Sequence, residues 1–156
     1  MQIHELLSAE TTVVGLQAGT KESVLSEMVD LFDGHPAVTD LELIRDAILE
    51  REAEMSTGVG KGFGLPHAKT TGVSSTIAAL AVIDGSVDFD AIDGDPVRIL
   101  FLLVGPPDSQ SQHVRILSRV SRLMNRDEVR DRFLASESAA SLLELLEESE
   151  NQLISH

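Results

Sequence analysis

Residues 56–70, STGVGKGFGLPHAKT, gather groups that can hold and receive a phosphoryl group. The stretch offers hydroxyls at Ser56 and Thr57, backbone N–H groups opened by Gly58, Gly60 and Gly62, cations at Lys61 and Lys69, and the imidazole of His67. A phosphoryl group carries its charge on peripheral oxygens, so oriented amides and nearby cations are what it needs. A neutral imidazole nitrogen is a competent nucleophile near pH 7, which makes His67 a candidate covalent acceptor. Pro66 restricts the backbone on both sides of its ring, so His67 is held in place. Residues 55–83 contain no Asp or Glu, whereas the chain's 26 acidic residues would place roughly five in such a run. That gap marks a region where a ligand supplies the negative charge.

The two common nucleotide motifs do not fit the glycines. A phosphate-binding P-loop needs glycine five residues before Gly60 and Ser or Thr after Lys61, but Met55 and Gly62 stand there. The dinucleotide fingerprint G-x-G-x-x-G, started at Gly58, Gly60 or Gly62, ends on Phe63, Leu65 or His67.

The elements that must position these groups follow from periodicity. Residues 1–10 read as a short amphipathic lead-in, and 11–16 as a β-branched strand. Thr20 caps a helix carrying Val24, Leu25, Met28, Leu31 and Phe32 at helical spacing, stopped at Gly34. Thr39 and Glu42 form a capping box for a second helix, with Leu41, Ile44 and Ile48 on one face. The next step of that stripe is Arg51, which either snorkels to the surface or is aimed at an anion beside the core. Residues 76–83 read as a strand covered on both faces, Asp84 and Gly85 as a turn, and 86–89 as a returning strand that completes a hairpin. The most hydrophobic segment, 97–104, predicts a central strand.

Ser109 and Gln112 suggest a second capping box for a helix to about Asn125, with His113, Leu117, Val120 and Met124 on one face. His113 then points inward near a helix N-terminus, where unpaired N–H groups favour an anion. Helices at about 126–135 and 138–149 finish the chain, the last with Ala139, Leu142, Leu143 and Leu146 inward and glutamates outside. Interleaved strands and helices predict an α/β layered domain, and the hairpin predicts a central mixed β-sheet flanked by helices.

Length and composition set the wider bounds. The 156 residues suit a single domain, 1–156, and 42% hydrophobic content supports a folded core. The absence of cysteine removes disulfides, thiolate metal sites and a cysteine nucleophile, consistent with a reducing compartment. Neither a leader pattern nor a run of ~18 apolar residues is present, so the expectation is a cytoplasmic protein not inserted in a membrane. A formal charge of −14 argues against nucleic acid as a partner. Of 12 basic residues only Lys21, Lys61 and Lys69 are lysine. Abundant acid with scarce lysine resembles the surfaces of proteins from salt-loving organisms; an acidic mesophilic protein is the alternative.

Residues 51–68, REAEMSTGVGKGFGLPHA, resemble the signature of the enzyme IIA domains of the fructose/mannitol and nitrogen-regulatory class in the phosphoenolpyruvate-dependent sugar phosphotransferase system. The likeness includes the Arg-Glu, the Ser-Thr-Gly, the glycine-rich passage and the Pro-His ending, and extends to SQSQHVRIL, where His113 matches a second active-site histidine. The resemblance implies a phosphotransferase without cofactor or metal. In it His67 accepts phosphate from the phosphocarrier HPr and passes it to a cysteine of enzyme IIB, in a complex with a membrane IIC permease, during uptake of sugar, expected to be fructose. It further implies Arg51 as the phosphate's partner and His113 as the neighbouring histidine. A regulatory protein of the same fold, whose phosphorylation state controls binding to other proteins, is the alternative. Lys61 and Lys69 are open to three readings: phosphate contact, partner docking, or plain solvation.

Overall fold

The structure, a computed structural model, describes residues 2–54, 58–91 and 93–154. Its strands are β1 (Thr12–Gln17), β2 (Gly58–Gly60), β3 (Phe63–Gly64), β4 (His67–Lys69), β5 (Ile77–Val87) and β6 (Val97–Gly105). Its helices are α1 (Lys21–Asp30), α2 (Leu41–Glu54), α3 (Gln110–Met124), α4 (Asp127–Leu134) and α5 (Ala139–Ile154). Two 3₁₀ turns, Ile3–Leu6 and Ala9–Thr11, precede β1.

β6 is buried at every position but Arg98, as its unbroken apolar run requires of a strand covered on both faces. It pairs antiparallel with β5, which pairs in parallel with β1. Along its other edge β6 takes two short parallel strands in succession: β3 opposite Ile99 and Leu100, then β4 opposite Leu103 to Gly105. β2 closes that side antiparallel to β3, so the sheet is mixed. Helices α1 and α2 pack Val24, Met28, Ile44 and Ile48 against Ala79, Ala81, Leu100 and Leu102 on one face. Helices α3, α4 and α5 pack Ile116, Val120, Phe133 and Leu142 against Leu80, Phe101 and Leu103 on the other. Among the described residues no helix is long and apolar enough to cross a membrane.

Local chemistry departs from the sequence expectation at several points. Asp84 and Gly85 do not reverse the chain; β5 runs on to Val87 through a bulge, and its pairing with β6 jumps from Val82–Ile99 to Val87–Val97. The reversal comes later, so the antiparallel pair is β5 with β6. The cap of α1 is as expected, with Thr20 accepting from the Ser23 N–H at 3.1 Å. At α2 the capping acceptor is Asp40, whose Oδ1 lies 3.1 and 3.3 Å from the N–H groups of Glu42 and Leu43, while the Thr39 hydroxyl donates to Thr71 O. No capping box forms at α3. The Ser109 hydroxyl donates to Pro106 O at 2.6 Å, and Gln112 is drawn to the sheet, accepting from the Thr76 hydroxyl at 2.7 Å. Not all the α5 glutamates face solvent. Glu150 is 0% exposed, and its carboxylate accepts the backbone N–H groups of Ile3 and His4 and sits 3.4 Å from Arg119 Nη1. An additional turn and a half of α5 thus pins the N-terminal segment.

Candidate functional site

β4 is too short to hold itself, so the site depends on how β6 receives it. Pro66 O accepts the Leu103 N–H at 3.0 Å, and pairing then places His67 opposite Leu103 and Lys69 opposite Gly105. The break in the ladder between β3 and β4 turns the Leu65 carbonyl back on His67, 2.7 Å from Nδ1. A carbonyl oxygen can only accept, so Nδ1 carries the ring proton and Nε2 keeps its lone pair.

Two helices flank β4 and form with it a cleft of about 490 Å³. From the last turns of α2 come Arg51, Glu50 and Glu54; from the first turns of α3 come Gln110, His113, Val114 and Leu117. Lys69 Nζ hydrogen-bonds Gln110 Oε1, tying β4 to the start of α3. His113 is buried, and its pKa is pushed down to about 4, chiefly by burial and then by the nearby charges of His67 and Lys69. It is therefore neutral at pH 7. His113 lies so close over the sheet that a Cβ on Gly105 would fall 2.3 Å from its Nε2, so any side chain there would have to displace the imidazole.

The structure therefore brings His67, Arg51 and His113 to one cleft, from three elements. Ser56 and Thr57 lie outside the described residues. Gly58 pairs with Gly64 in the β2–β3 hairpin. Gly60 and Gly62 form its turn and are not among the residues that line the cleft. Gly62 O accepts from the N–H groups of Arg98 and Ile99, and Gly60 has a φ of 98° with the Asp93 carboxylate 3.0 Å from where a Cβ would sit. Lys61 is also away from His67: its N–H donates to Asp93 Oδ2, and its Nζ lies 3.2 Å from Asn125 Oδ1 at the far end of α3.

Glu50 and Glu54 were not singled out by sequence reasoning, which followed the acid-free run along the chain. Helical spacing carried the signal, since Glu54 lies one turn beyond Arg51 on α2. The same spacing on α3 places Gln110 and Leu117 beside His113. Taken together, the cleft offers a lone-pair nitrogen beside a guanidinium, an ammonium and a neutral imidazole, an arrangement suited to nucleophilic attack on a phosphorus whose oxygens need donors.

The model of the family "Phosphoenolpyruvate-dependent sugar phosphotransferase system, EIIA 2" matches residues 5–149. The fructose-specific EIIA component of Haloferax volcanii is 40% identical over 129 residues, covering 83% of this chain and 84% of that protein. The fructose-specific EIIABC component of Bacillus subtilis is 34% identical over 146 residues; these are 94% of this chain but 23% of that longer protein. Among solved structures, the nitrogen regulatory protein IIA-Ntr from Neisseria meningitidis superposes with a TM-score of 0.86 at 26% identity, covering 92% of this chain and 98% of that one. With the family model spanning α2, β4 and α3, all the elements that line the cleft, the chain belongs to the EIIA type 2 family of the phosphoenolpyruvate-dependent sugar phosphotransferase system.

Proposed function

We propose that this protein is a phosphoryl carrier with His67 Nε2 as the acceptor atom. The observation that carries the proposal is the 2.7 Å contact between Leu65 O and His67 Nδ1, which leaves the other ring nitrogen basic within the cleft. The Nε2 lone pair attacks the phosphorus of phosphohistidine on HPr; the donor's P–N bond breaks, and its electron pair returns to the donor imidazole. In the second transfer a cysteine thiolate of enzyme IIB attacks the same phosphorus, and the bonding pair returns to Nε2. Exchange between two phosphoramidates is nearly balanced, so orientation and charge stabilisation suffice to drive it. Arg51 presents its planar fork to the phosphoryl oxygens, Lys69 adds a second cation, and His113, neutral and fixed by burial, orients a ring N–H toward them. Ser56, Thr57 and Gly58 are proposed as further phosphate contacts, whereas Gly60 and Gly62 serve the hairpin.

The test is incubation with phosphoenolpyruvate, enzyme I and HPr, scoring acid-labile, alkali-stable phosphate. Labelling is expected in the parent and lost in His67→Ala; equal labelling of both would overturn the assignment. Similarity to the Haloferax volcanii EIIA component supports sugar uptake, with fructose as the sugar. The likeness to IIA-Ntr supports a regulatory reading instead, in which the phosphorylation state controls binding to other proteins. Transfer of the label from His67 to the cysteine of a IIB protein decides for transport, and its failure with every IIB of the same organism decides for regulation.

A further inference from the structure

The cations of this acidic chain are unevenly placed. Residues 109–126 hold Arg115, Arg119, Arg122 and Arg126 and no acidic residue, so together with Lys61 and Lys69 they account for half of the chain's 12 cations. The two lysines bracket α3. Lys69 bonds Gln110 at its first residue, and Lys61 bonds Asn125 just past its last. Between them Arg115 and Arg122, seven residues apart and hence on one stripe, are exposed and make no ion pair among the described residues. Arg119, by contrast, is turned to the buried Glu150. Beside the arginine stripe run Val114, 58% exposed, and the small residues Ser118 and Ser121. Val114 also lines the His67 cleft, so the strip is continuous with the site. At its far end Asp93 accepts the N–H groups of Lys61 and Asp95, and Asp127, two residues past Asn125, pairs with Arg130.

We propose that the exposed face of α3, from Lys69 to Lys61, is the docking strip for the phosphoryl donor, and that the donor meets it with an acidic surface. The inference rests on the reading of His67 as acceptor and adds the chemistry of its partner. A molecule with a net charge of −14 repels an acidic protein over most of its surface, so productive encounter requires a local region of opposite sign. This strip joins such a region to the cleft through Val114 and Lys69, which line it. Its apolar and small side chains allow close approach, and its cations select the orientation that brings donor phosphorus to Nε2.

The experiment compares two donors. Phosphohistidine HPr from the same organism must dock, whereas phosphoramidate, a small molecule, needs only the cleft. In Arg115→Glu/Arg122→Glu the second-order rate of transfer from HPr is expected to fall at least tenfold at low salt. The deficit should shrink as salt screens the charges, and labelling by phosphoramidate should change less than twofold. An unchanged rate from HPr overturns the strip, and an increased rate shows that a basic donor docks there. An equal loss with both donors also overturns it, because the arginines would then act on the acceptor. If phosphoramidate labels another residue in the parent protein, the reading of His67 fails instead, and the two failures are separately visible.

Discussion

At the scale of single residues, His113 makes the cleft sensitive to acid. Its ordinary pKa of 6.5 holds in the unfolded chain, while burial and the charges of His67 and Lys69 hold it at about 4 in the fold. Between those values the unfolded chain binds a proton that the fold refuses. Its neutral burial therefore costs nothing above about pH 6.5, and stability is lost as pH falls toward 4, by about 3 kcal/mol in all. His113→Gln should remove this component. Urea unfolding at about pH 7.5 and 4.5 is expected to show a smaller loss for the variant than for the parent; equal losses would mean that His113 titrates at its ordinary value. The same residue shows why part of the site was legible in the sequence. A histidine on an apolar helical stripe must point inward, and Pro66 before His67 announces a held side chain. Nothing in the sequence placed the Leu65 carbonyl against Nδ1, because that contact arises only when β4 pairs with β6.

At the scale of elements, the glycines separate into two duties. The run 58–64 suggested a phosphate cradle, but Gly60 and Gly62 turn a hairpin that lies along β6, and the exposed amides expected there are largely taken up by pairing and by Asp93. Gly60→Ala places a side chain at positive φ and brings it 3.0 Å from the Asp93 carboxylate. A loss of about 1–2 kcal/mol is expected, read as a lower unfolding midpoint, while phosphoramidate labelling of His67 persists. Abolished labelling in a folded variant would return Gly60 to the phosphate site. Helices α1 to α5 and the long strands β1, β5 and β6 were readable, because hydrophobic periodicity reports burial directly, whereas β2 and β4 are too short to show a period. Caps and turns were read unevenly: Thr20 caps α1 as expected, but at α2 and α3 several side chains compete for the orphan N–H groups. Asp40 displaced Thr39, whose hydroxyl found Thr71 O across the structure. Asp84 and Gly85 read as a reversal because a bulge uses the same residues as a turn. The burial of Glu150 was invisible for a similar reason: its partners, the N–H groups of Ile3 and His4, lie at the other end of the chain.

At the scale of the whole molecule, 26 acidic residues against 12 basic ones leave a self-repelling surface. The described ion pairs do little to offset it. Lys21–Glu52 and Arg119–Glu150 each have a carboxylate sheltered from solvent, whereas Arg45–Asp30, Arg130–Asp127 and Arg132–Glu148 have exposed carboxylates that salt would screen. Raising ionic strength weakens both attractions and repulsions between exposed charges, and the larger number wins. The screening length falls from about 10 Å at 0.1 M salt to about 3 Å at 1 M, so like charges more than a few ångströms apart cease to repel while pairs in direct contact are screened least. The repulsion is therefore removed first. Sodium chloride from 0.1 to 1 M is expected to raise the thermal unfolding midpoint by several degrees, each kcal/mol being worth about 2–4 °C in a domain of this size. Sodium chloride is the right salt because sulfate would also strengthen apolar burial and confuse the cause. A midpoint that falls over this range would show that the surface ion pairs outweigh the net charge, and that the acidic excess places no demand for salt on the fold.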